Sequence, residues 1–340
     1  MSATLEIVGG VTTEEDNRKA GRCPICGGGK VADLLGAPDR FHMRTDVYRL
    51  SRCQSCGVAW VANPPKPGEM GRHYTAEYHK DIVAAGEGSA TRRWKNQVKR
   101  ISHYKPGGAI LDIGCSSGGF LSTMKGPAWK LHGIEMEEST ARRCRDTTGA
   151  EVFQGDAMDA PFLPASFDVI TCFDVLEHVY HPRQFLTKVL HWLKPGGILY
   201  AVLPNIDSWE SRLFGTYWYG LELPRHLFHF SPTSIRYLLE DIGFEEVRLR
   251  TPRVDYIERS LAYASARVLE KMEHFPASRF RPKQPGLPLR IIRKAARLVF
   301  VAPLAQMASL ADAGPSLEVV FRKSEQGKVA SPQTTEDSSA

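Results

Sequence analysis

Three carboxylates close three successive predicted strands of this 340-residue sequence. Asp112 lies in ILDIGCSSGGF (110–120), Glu135 ends the strand in LHGIEM (131–136), and Asp156 ends the strand in VFQGDA (152–157). The small residues after Asp112 let a ligand approach the backbone, and the following helix N-terminus offers N–H donors. Asp112 would repel a pyrophosphate but attract an amine, Glu135 can accept both hydroxyls of a ribose, and Asp156 can accept from an adenine amine. The pattern therefore favours a nucleoside with a cationic tail.

A nicotinamide dinucleotide is the main alternative ligand for such a loop. Its G-x-G-x-x-G fingerprint needs glycine at position 116, where this chain has Ser116. Three ordinary acids at strand-to-turn junctions are the other alternative, and their placement beside one small-residue loop disfavours it. We expect the backbone at Ser116 to avoid the left-handed region.

Four of the seven cysteines form two C-x-x-C pairs, namely Cys23, Cys26, Cys53 and Cys56. Two such pairs in one short segment can bind zinc tetrahedrally, and four thiolates leave no open position, so the predicted Zn²⁺ is structural. RFHMRTDVYRLSRC (40–53) reads as strand material for a hairpin between the pairs. Disulfides and a redox C-x-x-C are the alternatives. The first is disfavoured by a reducing cytoplasm, and the second by the lack of a thioredoxin-like context.

Strand and helix patterns alternate from AILDIG to GILYAVLPN (198–205). This alternation predicts an α/β fold, a doubly wound Rossmann-like parallel sheet with helices on both faces. Ligands of such sheets bind at the carboxyl ends of the strands, near the point where strand order reverses. The three acids all lie at such ends.

The chain from about 91 to 323 resembles a class I S-adenosylmethionine-dependent methyltransferase. The resemblance rests on LDIGCSSGGF, LHGIEM, GDAMDAPFLPASFDVITCFDVLEHV and LKPGGILYAVLPN. CPICG, YRLSRCQSCGVAW, NPP and HYTAEYH resemble the zinc-ribbon subgroup of these enzymes. The resemblance to class I methyltransferases implies a seven-stranded sheet whose last two strands, FEEVRLR (244–250) and SLEVVFRK (316–323), are antiparallel. The cofactor-binding residues that it implies are Asp112, Gly114, Cys115, Gly118, Glu135, Met136, Asp156, Ala157 and Phe173.

Histidines are the candidate catalytic residues, since an acceptor hydroxyl or carbon acid needs a base near the methyl transfer. His178 follows the fourth strand, and His226 and His229 lie in PRHLFHFS (224–231). DSWESRLFGTYWYGLEL, just before that loop, is where these enzymes carry an acceptor lid. Packing and hydrogen bonding within the loop are the alternative role of these rings.

The sequence divides into seven predicted parts: a flexible N-terminus (1–20), the zinc ribbon (21–62), a linker (63–90), the methyltransferase core (91–250), a helical insertion (251–315), the last core strand (316–323) and a disordered tail (324–340). No signal peptide is evident, and the apolar stretch 298–311 is too short to span a bilayer, so we expect a cytoplasmic protein. The basic amphipathic stretch 287–312 suits contact with an anionic inner membrane, a cover over the substrate site, or plain packing.

The predicted activity is O- or C-methylation of a small-molecule, sugar, polysaccharide or lipid-linked acceptor. An RNA- or protein-binding module that uses the ribbon and the basic segments is the alternative. Residues 21–60 show no interleaving of aromatic and basic residues for base stacking. No Asn/Asp-Pro-Pro-Tyr motif follows the fourth strand, so nucleic acid is disfavoured as a partner.

Overall fold

The computed structural model describes residues 13–42, 44–75, 90–252, 256–270, 307 and 311–325. Over these ranges the strands form two sheets, one of four strands and one of seven. No helix within them combines the length and the apolar character needed to cross a bilayer.

The smaller sheet contains the cysteine segment. Its first three strands are β1 (Val31–Pro38), β2 (Val47–Cys53) and β3 (Ala59–Val61). All neighbours are antiparallel, and β2 begins at Val47, so the predicted strand material at 40–53 is a described strand only from Val47 onward.

The larger sheet holds the remaining long strands, which are β4 (Gly108–Ile113), β5 (Trp129–Glu135), β6 (Glu151–Gln154), β7 (Phe167–Phe173), β8 (Leu193–Pro204), β10 (Phe244–Arg250) and β11 (Ser316–Lys323). Their order is β10-β11-β8-β7-β4-β5-β6. β11 is antiparallel to both β8 and β10, whereas the other neighbours are parallel. The Rossmann-like sheet and its antiparallel final pair agree with the sequence prediction. Chain order reverses at β4, so a ligand site is expected at the carboxyl ends of β4 and β7.

Two-residue strand β9 (Phe228–His229) connects the two sheets. It follows the predicted acceptor lid, and it pairs antiparallel with β3, with Ala59 opposite His229. Arg52 of β2 also makes a bidentate ion pair with Asp207, both distances being 2.7 Å. The cysteine segment is therefore hydrogen-bonded directly to the loop that carries the candidate histidines.

The helices surround the larger sheet. They are α1 (Glu14–Lys19), α2 (Pro67–Met70), α3 (Ala90–Tyr104), α4 (Gly119–Met124), α5 (Glu138–Thr148), α6 (Pro182–Trp192), α7 (Trp209–Phe214), α8 (Pro232–Ile242) and α9 (Ile257–Glu270). Ile110, Leu111 and Ile170 on β4 and β7 are fully buried, as expected for strands covered on both faces.

Parts of two segments predicted to be loose are folded. Residues 1–20 were expected to be flexible, but Thr13 caps α1 with a capping box, and Glu14 of that helix is buried. Residues 63–90 were expected to be a linker, yet α2 lies in that segment and His73 is completely buried. The capping box at Thr13 is a short local signal that the composition of the segment does not reveal. In the second segment, the proline-rich composition of 62–70 indicates a linker and hides α2 and the buried His73.

Several predicted features fall outside the described residues. They include 76–89 of the predicted linker, 271–306 of the predicted helical insertion, most of the basic stretch 287–312, and 326–340 of the predicted tail. α9 accounts for the described helical part of the insertion.

Candidate functional site

The loop between β4 and α4 turns sharply at the end of the strand. Its residues Gly114, Ser116 and Gly118 have φ angles of +73°, +48° and +84°. The expectation that Ser116 avoids the left-handed region is therefore wrong. The backbone N–H of Ser116 donates to Glu135 at 3.0 Å, and that contact accompanies the strained φ.

Asp112 lies beneath this loop and is almost completely buried, with 3% of its surface exposed. The Thr171 hydroxyl on neighbouring β7 donates to its Oδ1 at 2.7 Å. Burial raises the pKa of Asp112 to about 8, and the hydrogen bond from Thr171 opposes that rise. A cationic group at this strand end would favour the ionised form of the carboxyl. The role of Asp112 toward an ammonium group stays a prediction.

Glu135 joins the loop to the end of β5. Its Oε2 accepts from the Ser116 backbone and its Oε1 accepts from the Glu137 backbone at 3.1 Å. Met136 beside it is 68% exposed, an unusual fraction for a large apolar side chain. The Glu135 carboxylate can accept hydrogen bonds from ribose hydroxyls, and the exposed Met136 side chain can contact the flat ring of the attached base.

Asp156 follows β6 and lies in the open. Its Oδ1 accepts from the Met158 backbone at 2.8 Å and so caps the short 3₁₀ turn Ala157–Asp159. Ala157 is half-buried at the start of that turn. Because β4, β5 and β6 are adjacent and about 4.8 Å apart, the ends that carry Asp112, Glu135 and Asp156 lie within reach of one small molecule.

An aromatic group lines the other side of the β4 end. Phe173 of β7 lies 4.9 Å from Phe120 and 5.3 Å from Trp94, measured between ring centroids. A Cβ placed on Gly119 would come within 3.2 Å of Trp94 Nε1. The sequence prediction missed Trp94, although a tryptophan in an otherwise polar, basic helix was the available signal. Cys115 packs against Gly133 of β5, and Gly118 packs against Cys144 and Thr148 of α5.

Arg93 and Asp174 form an ion pair beside these rings, with 2.8 Å between Arg93 Nη2 and Asp174 Oδ2. Asp174 has a φ of +55° at the end of β7. The neighbouring Asp174 charge raises the pKa of Arg93. Arg93 was also missed, because one arginine among many in a basic helix has no distinguishing sequence signal.

Two predicted histidines meet at the carboxyl end of β7. We call Glu177, His178, Glu222 and His226 the His–Glu cluster. The His178 and His226 ring centroids are 4.6 Å apart. His226 Nε2 lies 4.0 Å from Glu177 Oε1 and 3.7 Å from Glu222 Oε2. Burial and, after it, the nearby His226 lower the pKa of His178 to about 3, and burial likewise lowers the pKa of His226, so both rings are neutral near pH 7.

His229, the third predicted catalytic histidine, lies apart from the cluster. Its ring centroid is 6.1 Å from that of His226, and the residue is buried in β9. Burial lowers the pKa of His229 to about 3. These positions favour a packing role for His229 over a catalytic one.

A buried charge network connects the cluster to the cysteine segment. Asp39, which follows β1, has no exposed surface and accepts from Nδ1 of His73 at 2.8 Å and of His42 at 2.9 Å. Arg225, 1% exposed, lies 3.3 Å from Asp39 Oδ2 and donates to Glu222 Oε1 at 3.1 Å. Burial alone would raise the pKa of Asp39, but Arg225 and the histidine hydrogen bonds outweigh it and lower the pKa. No motif in the sequence links these distant residues.

The four ribbon cysteines come together as predicted. Their Sγ atoms all lie within 4.8 Å of one another, with 3.6 Å between Cys23 and Cys56 and 3.5 Å between Cys26 and Cys53. None of the four forms a disulfide. Gly27 and Gly57, which follow the pairs, adopt φ angles of +71° and +79°. A compact set of four thiols fits one tetrahedral soft metal ion.

The comparisons with known proteins agree with this arrangement. Residues 87–249 match the family described as "Methyltransferase domain". A protein of Mycolicibacterium smegmatis described as a "Probable S-adenosylmethionine-dependent methyltransferase" is 28% identical over 158 residues, which cover 45% of this chain and 58% of that protein. A demethylmenaquinone methyltransferase of Listeria welshimeri is 28% identical over 137 residues, covering 37% of this chain and 58% of that protein.

A solved structure with a similar fold is that of a SAM-dependent methyltransferase from Thermotoga maritima. It is 17% identical, has a TM-score of 0.47, and the similarity covers 72% of this chain and 97% of that one. The chain spans about three fifths of the length of the two relatives above. The parallel strands β4 to β8 of the larger sheet all lie within residues 87–249, the part of the chain that matches the methyltransferase-domain family.

Proposed function

We propose that this chain transfers a methyl group from S-adenosylmethionine to an oxygen or carbon atom of a small-molecule, sugar, polysaccharide or lipid-linked acceptor. The observation that carries this proposal is the position of the His–Glu cluster. It lies at the carboxyl end of β7, the neighbour of the strand that ends at the predicted cofactor loop. Side chains that can accept or donate a proton thus lie beside the end of β4, which is predicted to bind the methyl donor.

The cofactor would bind across the ends of β4, β5 and β6. Glu135 would accept from the ribose hydroxyls and Asp156 from the adenine amine, with Met136 and Ala157 beside the ring. Asp112 and Gly114 would hold the methionine end. Phe173 would lie beside the methionine moiety, against Trp94.

For methyl transfer, the protein mainly has to align the acceptor atom with the methyl donor and exclude water from the site. The sulfonium of S-adenosylmethionine supplies an already activated methyl group. An acceptor hydroxyl would form an O–CH₃ bond as the S–CH₃ bond breaks, which yields S-adenosylhomocysteine and releases the hydroxyl proton. Holding the two reactants in line supplies most of the acceleration. His226, whose ring is neutral, and His178 beside it are the candidates for assisting the loss of that proton.

The aromatic character of the lid supports a small-molecule acceptor. The ring centroid of Tyr219, in the predicted lid, lies 5.7 Å from that of Tyr256 and 5.7 Å from that of Tyr263. Arg259 stacks 4.6 Å from the Tyr219 centroid. Such a surface suits a sugar, phosphate or aromatic acceptor. The demethylmenaquinone methyltransferase among the relatives is named for a small-molecule acceptor.

We propose that the four-cysteine group holds a structural Zn²⁺. Thiolates about 2.3 Å from a tetrahedral zinc would be about 3.8 Å apart. The observed Sγ–Sγ distances of 3.5 and 3.6 Å approach that value. A closed shell of four thiolates supports folding of the segment and leaves no position for a substrate.

Cofactor titration combined with methyl transfer tests the proposal. Isothermal titration should show S-adenosylmethionine binding that Glu135→Ala and Asp112→Ala weaken, while tritiated methyl transfer into fractionated cell extract should label a small or lipid-linked acceptor. Absence of cofactor binding, or label only in RNA or protein, would contradict it. Glu151→Ala is the matched control, because Glu151 is an exposed carboxylate at the first position of β6, the opposite end of that strand from Asp156.

A further inference from the structure

The His–Glu cluster has the spacing of a metal site. One ligand atom each from Glu177, His178 and His226 lies within 4.8 Å of the other two. Two ligands about 2.1 Å from one metal ion are about 3.0 to 4.2 Å apart, according to the angle between them. The separations of His226 Nε2 from Glu177 and from Glu222, 4.0 and 3.7 Å, fall in that range.

The hydrogen bond of His226 leaves a lone pair on its Nε2. His226 Nδ1 is 2.9 Å from the Gly220 carbonyl oxygen, which only accepts, so Nδ1 carries the hydrogen and in a neutral ring Nε2 is then the acceptor. His178 Nδ1 lies 3.0 Å from the Arg225 carbonyl oxygen and 2.9 Å from the Tyr74 hydroxyl, and when it donates to that carbonyl its Nε2 is likewise the acceptor. Donation of the other ring N–H to a carbonyl is the usual arrangement of metal-binding histidines.

Glu177 gives an independent indication of a missing positive charge. It is 2% exposed, and no other described residue donates a hydrogen bond to either of its carboxylate oxygens. A buried carboxylate without a partner is costly. The nearest ring nitrogen, His226 Nε2 at 4.0 Å, faces it with a lone pair and not with a hydrogen.

We propose that Glu177, His178 and His226 bind a divalent transition-metal ion, with the Glu222 carboxylate adjacent. Imidazole and carboxylate donors together suit zinc, iron or manganese. This site is distinct from the four-cysteine group. Given the proposed function, the cation would bind the acceptor oxygen and lower the pKa of the acceptor hydroxyl. The proton would then leave to solvent, since an Nε2 that ligates a metal cannot also act as the base.

Metal content of the full chain tests the site without an activity measurement. After equilibration with excess Zn²⁺ and desalting, elemental analysis should find two zinc ions per wild-type chain and about one for Glu177→Gln and for His226→Asn. Glu14→Gln removes another buried carboxylate, one that lies against His181 and Arg183 and is not part of the cluster, and should retain two. A wild-type content of one, or a Glu177→Gln content of two, would overturn the proposal.

Cobalt substitution identifies which site is lost. Thiolate ligands give Co²⁺ intense near-ultraviolet charge-transfer bands, whereas a histidine–carboxylate site gives only weak visible bands. The Glu177→Gln protein should keep the ultraviolet bands and lose part of the visible absorption, and loss of the ultraviolet bands instead would count against the assignment. Retained S-adenosylmethionine binding shows that each variant is folded. A wild-type chain that binds one metal ion and still transfers methyl groups would refute the proposed metal site but not the proposed function. A wild-type chain that binds two metal ions but no S-adenosylmethionine would refute the proposed function but not the metal site.

Discussion

Asp39→Asn tests whether the cysteine segment stabilises the histidine loop. The substitution keeps the shape of the side chain and its acceptor for His73, but it removes the charge that faces Arg225. Both residues are buried, and their atoms are 3.3 Å apart. Removing one partner of a buried ion pair costs roughly 3 to 5 kcal/mol. Arg225 keeps Glu222 at 3.1 Å, so we expect the lower end, about 3 kcal/mol.

The assay is urea unfolding of four proteins: the wild type, Asp39→Asn, Arg225→Met and the double variant. The double variant should lose less free energy of unfolding than the sum of the two single variants, because Arg225→Met removes the very charge that Asp39→Asn deprives of its partner. Asp207→Asn is the matched control. Its ion pair with Arg52 also joins the cysteine segment to the core, but it is about one third exposed. We expect it to cost less than about 1 kcal/mol.

The same variant should also separate cofactor binding from acceptor chemistry. Asp39 is linked through Arg225 to Glu222 and His226, and not to Glu135, so S-adenosylmethionine affinity should be unchanged while methyl transfer falls. The folded state lowers the pKa of Asp39 from 3.8, so the stability it contributes is present above about pH 4 and is lost as the pH falls below that value. If Asp39→Asn costs no more than Asp207→Asn, the network does not hold the loop.

Four further outcomes are expected. Because burial raises the pKa of Asp112 from 3.8 to about 8, the cofactor-free protein should lose stability as the pH rises from about 4 to 8, by up to about 1.4 kcal/mol per pH unit, and Asp112→Asn should abolish that slope in urea unfolding at a series of pH values. Glu135→Ala should weaken S-adenosylmethionine binding by about 10- to 100-fold in calorimetry, through lost charged hydrogen bonds, and an unchanged affinity would remove the ribose role. Gly118→Ala should lower the free energy of unfolding by about 1 to 3 kcal/mol, because its φ is +84° and its Cβ would meet Thr148 at 2.7 Å; Gly126→Ala, with open space around it, should cost less. Cys53→Ser should reduce zinc content by one ion per chain and make residues 21–62 sensitive to protease; full retention of the metal would exclude the four-thiolate site.

The order of the elements was readable from the sequence because each signal is local. The alternation that predicted β4, β5, β6 and β7 depends on neighbouring residues alone, and so does the Ser231 cap before α8. The four-cysteine group was predictable because the ligand chemistry restricts which residues can form it. Each of these features is encoded in a stretch of fewer than about 40 residues.

The environment of the candidate histidines was not readable in that way. His226 was chosen from its loop, but Asp39 and Arg225, which hold that loop, are separated by 186 positions. Ser116 was misjudged because a hydrogen bond to Glu135, a residue on another strand, accompanies its backbone conformation. Tertiary contacts of this kind decide charge, burial and pKa, and no short motif records them.

The pairing of β3 with β9 limits how this protein can be dissected. A fragment starting after residue 62 would expose the backbone edge of Phe228 and His229 and leave Arg225 without Asp39. Chimeras that exchange the amino-terminal segment between relatives should therefore work only when the stretch 222–230 travels with it. In engineering terms, the smallest exchangeable unit is made of two pieces that are distant along the chain.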